Sequence, residues 1–243
     1  MNIQTLKPDM LVGLGTIAGR RKRTGDGLRK STQDRGSDQN VANDIGGLIG
    51  EWGVITALEW SGEVTHDFFD CSKPVKAADA VYRPKVSPST VRRLDAKALI
   101  AERKRRWFLL DIATANDPMA KGIDLFVPVL CYPGSAAVII GSPIRPSDAR
   151  KWEKVDLQRK GNYAYGLPID RLLWDYFGKS SEEEIHAIFD AQPLDWSPMA
   201  DAAATWGAAL TPEEIIRIAA EPKTLHEGLL ALGDWLGARR EDA

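Results

Sequence analysis

Cysteine, histidine and long apolar runs are all scarce in this sequence. Its 243 residues include two cysteines and three histidines, and their number and spacing fit no disulfide framework, zinc site or catalytic triad. No run of about 18 consecutive apolar residues occurs, so a membrane-spanning helix is not expected. Residues 1–10 lack the basic and apolar segments of a secretory signal. These absences predict a cytoplasmic protein with reduced thiols and no membrane partner.

The composition is that of an ordinary globular protein. Hydrophobic residues make up 44% of the chain and charged residues 27%, which argues against a disordered chain, a collagen-like rod and a coiled coil. The length fits one large domain, or one domain with an appendage.

The net charge of −2 is distributed unevenly along the chain. Residues 1–120 carry 19 Lys and Arg against 15 Asp and Glu, a net of +4, whereas residues 121–243 carry 13 against 19, a net of −6. This asymmetry predicts a basic working part and an acidic accessory part.

A polar segment at residues 18–42 contains four consecutive cations at positions 20–23, and Arg29, Lys30 and Arg35 follow them. Glycines interrupt the segment, and we predict a loop. It is either a solvated linker or an arm that contacts nucleic-acid phosphates. The candidate phosphate-binding residues are Arg20, Arg21, Lys22 and Arg23.

Residues 43–60 have the apolar spacing of a helix, although four glycines weaken it by about 1 kcal/mol each. Such a helix suggests a close approach to another backbone or to a ligand. Apolar segments separated by Pro and Gly turn signals then predict strands. Residues 144–176 are expected to mix loop and short helix, and helices to dominate from Ser180 onward. The predicted strands are Val64–Asp70, Asp79–Tyr82, Val91–Leu99, Trp107–Ala113, Ile123–Leu130 and Ala136–Gly141.

The strand Val91–Leu99 carries the most informative pattern. Side chains alternate between the two faces of a strand, so its apolar residues at even positions face a core. The charged residues at odd positions then share the opposite face. These charged residues are Arg93, Asp95 and Lys97.

Asp79 lies on the preceding predicted strand. If the hairpin is symmetric about Ser87, Asp79 lies opposite Asp95, and both carboxylates meet Lys97 on one surface. Like charges facing each other across a ladder are destabilising, and a divalent cation that prefers oxygen ligands, such as Mg²⁺, removes the conflict. Glu51, on the glycine-rich helix, is a candidate third carboxylate.

Each of these residues also has a purely structural interpretation. Glu51 would be a solvated helix residue, and Asp79 a turn residue that begins a strand. Asp95 and Lys97 would form an exposed ion pair of little energetic value. In this order and in these contexts, the residues together favour a site.

The arrangement resembles the PD-(D/E)XK nuclease superfamily, with its restriction-endonuclease-like fold. The family pattern is a helix bearing Glu, a strand with Asp, and a strand with (Asp/Glu)-x-Lys. Residues 40–175 carry the resemblance. Because Ala78 stands where the family has Pro, Asp67 and Asp70 are alternatives to Asp79, and Lys85 is a weaker alternative to Lys97. The matching segments are Gly47-Leu48-Ile49-Gly50-Glu51, Ala78-Asp79 and Asp95-Ala96-Lys97.

The resemblance implies an α/β fold, with a central mixed β-sheet flanked by helices, and Mg²⁺-dependent hydrolysis of phosphodiester bonds in DNA. Lys97 would orient or help deprotonate the attacking water, and Arg93 would contact a phosphate. A homodimer follows if both strands of a duplex are cut, and a restriction or phage-defence role is the expected biology. The implied ligands of one or two Mg²⁺ ions, for which Mn²⁺ can substitute, are Asp79, Asp95, the backbone carbonyl of Ala96, and Glu51.

Two other functions compete with this one. Val12–Ala18 matches the glycine-rich dinucleotide-binding pattern, but a good strand before it and a good helix after it are missing. The alternative retained is a non-catalytic nucleic-acid-binding or assembly protein on a nuclease-like fold.

We divide the chain into three parts. Residues 1–42 form an N-terminal segment with the basic arm, residues 43–178 the nuclease core, and residues 179–243 a helical, acidic C-terminal extension. Because acidic surfaces repel DNA, we expect the extension to lie away from the cleft. Its expected roles are packing on the nuclease core, dimerisation or contact with a partner protein.

Overall fold

The computed structural model describes residues 1–28, 37–72, 78–101, 107–111, 122–159, 162–219 and 224–241. Arg29, Lys30 and Arg35 lie outside these ranges. Within them the chain forms nine strands: β1 (Asn2–Thr5), β2 (Gly62–His66), β3 (Ala80–Pro84), β4 (Arg92–Ile100), β5 (Trp107–Asp111), β6 (Leu125–Cys131), β7 (Ala137–Ile140), β8 (Glu153–Arg159) and β9 (Asn162–Pro168).

Eight α-helices accompany the strands in the described ranges. A 3-10 turn at Pro8–Met10 precedes the first helix, and a π-helical turn at Leu173–Phe177 continues the fourth. The helices are α1 (Leu11–Leu28), α2 (Ser37–Glu59), α3 (Pro146–Ala149), α4 (Ile169–Leu172), α5 (Glu182–Asp190), α6 (Ser197–Ala209), α7 (Pro212–Ala219) and α8 (Leu225–Glu241).

Six strands form a mixed sheet in the order β1-β7-β6-β4-β3-β2. The central pair, β4 and β6, is parallel, and the other neighbours are antiparallel. A second, antiparallel sheet has the order β5-β9-β8. The predicted fold class, a mixed sheet flanked by helices in an α/β protein, is confirmed at this level.

Glycines bring α2 close to the large sheet. A Cβ built on Gly50 would lie 2.9 Å from the Cβ of Ala98 in β4, and one on Gly53 would lie 2.9 Å from Cγ1 of Val138 in β7. Side chains at these positions would push the helix away from the sheet. The expectation that the glycines mark a close approach is therefore confirmed, and the neighbour is the sheet.

Strand β4 separates two apolar clusters. Leu94 and Ile100 belong to the core shared with α1, α2 and the C-terminal helices. Leu99, on the other face, belongs to a second cluster with residues of β5, β6 and α5. Lys97 lies with its Nζ 6.0 Å from the ring centroid of Phe126, a member of that second cluster. The charged face of β4 therefore meets the margin of an apolar layer.

The loop predicted for residues 18–42 is wrong over the described residues. Helix α1 runs to Leu28, and α2 begins at Ser37. Ile17 and Ala18 are buried, and α1 contacts both α2 and α6. Tertiary packing of this kind overrides the weak helix propensity of glycine.

The same packing explains the glycine-rich pattern at Val12–Ala18. A Cβ on Gly13 would lie 2.7 Å from the carbonyl oxygen of Leu229 in α8. A Cβ on Gly15 would lie 2.2 Å from the carbonyl oxygen of Met199 in α6. These glycines lie inside a helix and let two other helices approach its backbone, so the dinucleotide-binding interpretation is wrong.

Two further elements differ from the sequence-based expectation. Residues 153–168 form the hairpin β8–β9, where loop and short helix were expected. Helix α6 lies within the C-terminal region in which helices were expected to dominate. Pro198 stands in the first turn of α6, where the missing N–H costs no hydrogen bond.

No helix in the described ranges combines the length and the apolar character needed to cross a bilayer.

Candidate active site

The hairpin β3–β4 brings Asp79 and Asp95 together. Ala80 pairs with Leu94, so the register extended by one residue places Asp79 opposite Asp95. The hairpin is therefore symmetric about Ser87, and this prediction is confirmed. The backbone N–H of Ala96 donates to Oδ2 of Asp79 at 2.7 Å and fixes the carboxylate against β4.

The two carboxyl groups conflict electrostatically. Burial raises the pKa of Asp79 well above its ordinary value, and the negative charges of Glu51 and Asp95 raise it further. A hydrogen bond between the Asp79 and Asp95 carboxyl groups acts in the same direction, while Lys97 opposes the shift. Either a proton shared between the two carboxyl groups or a cation bound between them would relieve this repulsion.

Lys97 supplies the nearest positive charge. Its Nζ lies 2.8 Å from Oδ2 of Asp95, and its side chain is 39% exposed. Burial lowers the pKa of Lys97, but the carboxylates of Asp95, Asp79 and Glu51 outweigh that effect and leave the pKa raised. The side chain is thus an ammonium ion at neutral pH, paired with Asp95.

Glu51 reaches the site from α2 and is held by Arg21 of α1. Nη1 of Arg21 donates to both carboxylate oxygens of Glu51 at 2.8 Å, and the two side chains are only 17% and 14% exposed. Nη2 of Arg21 donates to the carbonyl oxygen of Phe68 at 2.6 Å. The Arg21–Glu51 pair therefore joins the first two helices beside the Asp79–Asp95 pair.

The proposed basic arm does not form one surface. Successive residues of an α-helix are rotated by about 100°, so positions 20–23 of α1 point in different directions. Arg21 points inward to Glu51, as its hydrogen bonds show, whereas Arg23 is exposed. Arg20 and Lys22 are half-buried. The guanidinium of Arg21 is engaged inside the protein and is not offered to a nucleic acid.

Arg93 lies where the alternation predicts. It is exposed and shares the face of Asp95 and Lys97 on β4, and its backbone N–H donates to Oδ2 of Asp124 at 2.7 Å. A Cβ on Gly122 would lie 2.8 Å from Nη1 of Arg93. The guanidinium therefore rests against the backbone that leads into β6.

The alternative residues are elsewhere. Asp70 accepts hydrogen bonds from the backbone N–H and hydroxyl of Ser72 and so closes a turn, and Asp67 accepts the N–H of Asp70 at its backbone carbonyl. The hairpin register places Asp79, and neither of these, opposite Asp95. Lys85 lies at the hairpin turn, where its Nζ donates to the carbonyl oxygen of Trp60 at 3.1 Å.

The donor set fits a hard cation only in part. Among the described residues, no group of three or more His, Cys, Asp or Glu side chains is placed to hold a metal ion. Mg²⁺ usually keeps several waters and binds one or two protein carboxylates, which Asp79 and Asp95 provide. Ala96 lies between Asp95 and Lys97, with its side chain against the core and its N–H bonded to Asp79.

Arg21 is the site residue whose role the sequence did not predict. It is 30 positions from Glu51, and no local spacing links them. The available signal was a pair of opposite charges on two predicted elements, which is too common to be informative.

The Arg21–Glu51 pair is expected to couple strongly in a double-mutant cycle. Arg21→Met, Glu51→Gln and the double variant should give a coupling free energy of about 1–3 kcal/mol in urea unfolding, because the pair is largely buried. The exposed pair Arg171–Asp175 is the control, with a coupling of about 0.5 kcal/mol or less. Equal, small couplings for both pairs would contradict the arrangement.

Neither the family models, the curated proteins nor the solved structures contain a match to this chain.

Proposed function

We propose that the protein is a Mg²⁺-dependent nuclease that hydrolyses phosphodiester bonds of DNA. The observation that carries the proposal is the pairing of Asp79 with Asp95 across the β3–β4 hairpin, with Lys97 bonded to Asp95 on the same face. Two carboxylates and an ammonium on one sheet surface suit the charges of a phosphoryl centre.

The topology around the site supports a restriction-endonuclease-like core at residues 43–178. A helix bearing Glu51 precedes an antiparallel run of three strands, and the third of these pairs in parallel with β6. This order matches the sequence resemblance to the PD-(D/E)XK superfamily. The residues of that pattern also converge, since Glu51 and Asp95 both shift the pKa of Asp79.

Each residue has a role in the proposed reaction. Asp79 and Asp95, with the carbonyl of Ala96, would hold Mg²⁺ or Mn²⁺, which supplies Lewis acidity and lowers the pKa of bound water. Lys97, as a fixed ammonium, offsets negative charge that develops on the phosphate. Arg21 holds Glu51 beside the pair, and Arg93 is placed to contact an adjacent phosphate.

The biological setting is proposed from the superfamily resemblance. A homodimer follows if both strands of a duplex are cut, and a cytoplasmic restriction or phage-defence enzyme fits the superfamily. α6 and α8 pack against α1, which engages one face of each helix inside the chain. A partner protein would therefore bind their outer faces.

A non-catalytic nucleic-acid-binding protein is the second candidate. It is favoured by the repulsion between the buried Asp79 and Asp95 carboxyl groups, which raises the pKa of Asp79 and which a proton relieves without a cation. In that protein the carboxyl pair would keep its proton, and no cation would be needed.

A cleavage assay distinguishes the two candidates. The full chain is incubated with single-stranded and duplex DNA, methylated and unmethylated, and with RNA, in Mg²⁺, Ca²⁺ or EDTA. The nuclease proposal predicts products from at least one DNA substrate in Mg²⁺ and none in EDTA. Binding without products on every substrate would favour the non-catalytic protein.

A further inference from the structure

Exposed apolar and basic side chains meet at the turn of the β3–β4 hairpin. Trp60 is 82% exposed and Val86 is 96% exposed. The backbone N–H of Lys85 donates to the carbonyl oxygen of Ser61 at 3.0 Å, and its Nζ donates to that of Trp60. These two hydrogen bonds hold the hairpin turn against the residues that follow α2. The tip surface is defined by Trp60, Arg83, Lys85, Val86 and Arg92. Arg83 and Arg92 stand on opposite faces of the hairpin, so the surface wraps around its end.

The tip surface is positively charged. Its three cations, Arg83, Lys85 and Arg92, are exposed, and one carboxylate among the described residues contacts them. Glu63 lies 3.8 Å from Arg83 with both side chains more than half exposed, which makes a weak pair. In a chain whose net charge is −2, this local excess selects an anionic partner.

Positively charged side chains extend from the carboxyl pair along the hairpin toward its tip. Arg83 and Arg93 share the sheet face of Asp79 and Asp95, because all four stand at alternate positions of the two paired strands. Val86 is seven residues beyond Asp79, which places the tip roughly 20 Å from the carboxyl pair. A single phosphate does not span that distance, whereas a nucleic-acid strand does.

We propose that the tip surface binds an unpaired stretch of the nucleic-acid substrate, with Trp60 stacked on a base and Arg83, Lys85 and Arg92 at the phosphates. An indole stacks on a base whose face is free, and bases in an intact duplex are stacked on each other. Three cations at the hairpin tip beside an exposed Trp favour a polyanion over an apolar protein partner. The proposal rests on the proposed nuclease function and selects single strands or duplexes with unpaired ends.

The test is a binding measurement that needs no turnover. Fluorescence anisotropy of the full chain in Ca²⁺ is recorded with a labelled single-stranded DNA, a blunt duplex and a duplex with a single-stranded overhang. Trp60→Ala is expected to weaken binding of the single strand and the overhang at least about five-fold, with little change for the blunt duplex. Lys85→Ala is expected to reduce the salt slope for the single strand by about 0.7.

Matched controls lie elsewhere on the surface. Trp174 is 65% exposed, and Lys154 is exposed on β8. Trp174→Ala and Lys154→Ala should bind all three probes as wild type does. If both tip variants also bind the single strand as wild type does, the proposal is overturned, and the tip becomes a protein-docking patch.

The outcome separates this proposal from the nuclease proposal. Weaker binding by the tip variants without cleavage by wild type would retain the tip surface and reject catalysis. Cleavage by wild type with unchanged binding by the tip variants would retain catalysis and reject the tip surface.

Discussion

An Asp95→Asn variant is expected to cleave nucleic acid about 10³-fold more slowly than wild type in saturating Mg²⁺. Asn keeps the shape of the side chain but removes the charge that Lys97 contacts at 2.8 Å. It also removes one of the two carboxylates proposed to hold the cation. Single-turnover cleavage with excess enzyme measures the effect on the chemical step.

Stability should not fall with activity in this variant. Asp95 raises the pKa of Asp79, so its neutralisation relieves a repulsion, and thermal unfolding should occur at the wild-type temperature or above it. Asp201→Asn, at an exposed position of α6, is the control and should retain full activity. Equal activity of Asp95→Asn and wild type would remove Asp95 from the catalytic site.

A Gly15→Ala variant is expected to lose about 3 kcal/mol of unfolding free energy. The added Cβ would lie 2.2 Å from the carbonyl oxygen of Met199, and two helix backbones must separate to admit it. For a chain of this length, such a loss lowers the unfolding temperature by about 6–12 °C. Calorimetry measures it, with urea unfolding as a second estimate.

Gly47→Ala is the matched control for this prediction. Gly47 lies exposed on α2, and a Cβ there meets no atom within 4 Å. The same substitution should raise the unfolding free energy by about 0.5–1 kcal/mol, because Ala is the better helix former. A change of the same sign in both variants would show that contact between α1 and α6 does not set the outcome.

The carboxyl pair was predictable because a hairpin obeys a simple count. Alternation fixed the face of Asp95 and Lys97, and the turn centred at Ser87 fixed the partner of Asp79. Both rules depend on residues close in sequence. The close approach of α2 to the sheet was predictable for a similar reason, because several glycines in one helix usually mark close packing against another element.

The contacts of α1 were not predictable from local sequence. Gly15 and Gly19 indicate a loop by propensity, and only the distant residues Met199 and Ala203 give them a partner. The Arg21–Glu51 pair has the same origin, because it forms only after α1 and α2 pack. Both features depend on tertiary structure, which single-sequence patterns do not encode.

The hairpin β8–β9 of the second sheet was missed because its strands are weakly patterned. β8 is an edge strand with exposed residues such as Glu153 and Lys154, so the apolar alternation that identifies a half-buried strand is faint. Helix α6 lies in the region where helices were expected, but its own pattern is weak. Small residues such as Ala202 and Ala203 face the core, where helix patterns are usually recognised by large apolar residues.

Divalent-cation binding by the carboxyl pair is the most direct test of the proposed site. Titration of Mn²⁺ into the full chain, followed by electron paramagnetic resonance of the free ion, counts bound metal without any substrate. We predict at least one saturable site that Mg²⁺ displaces, lost in the Asp79→Asn/Asp95→Asn double variant and retained in Asp201→Asn. Wild type without saturable binding, or a double variant that binds as much Mn²⁺ as wild type, would contradict the account.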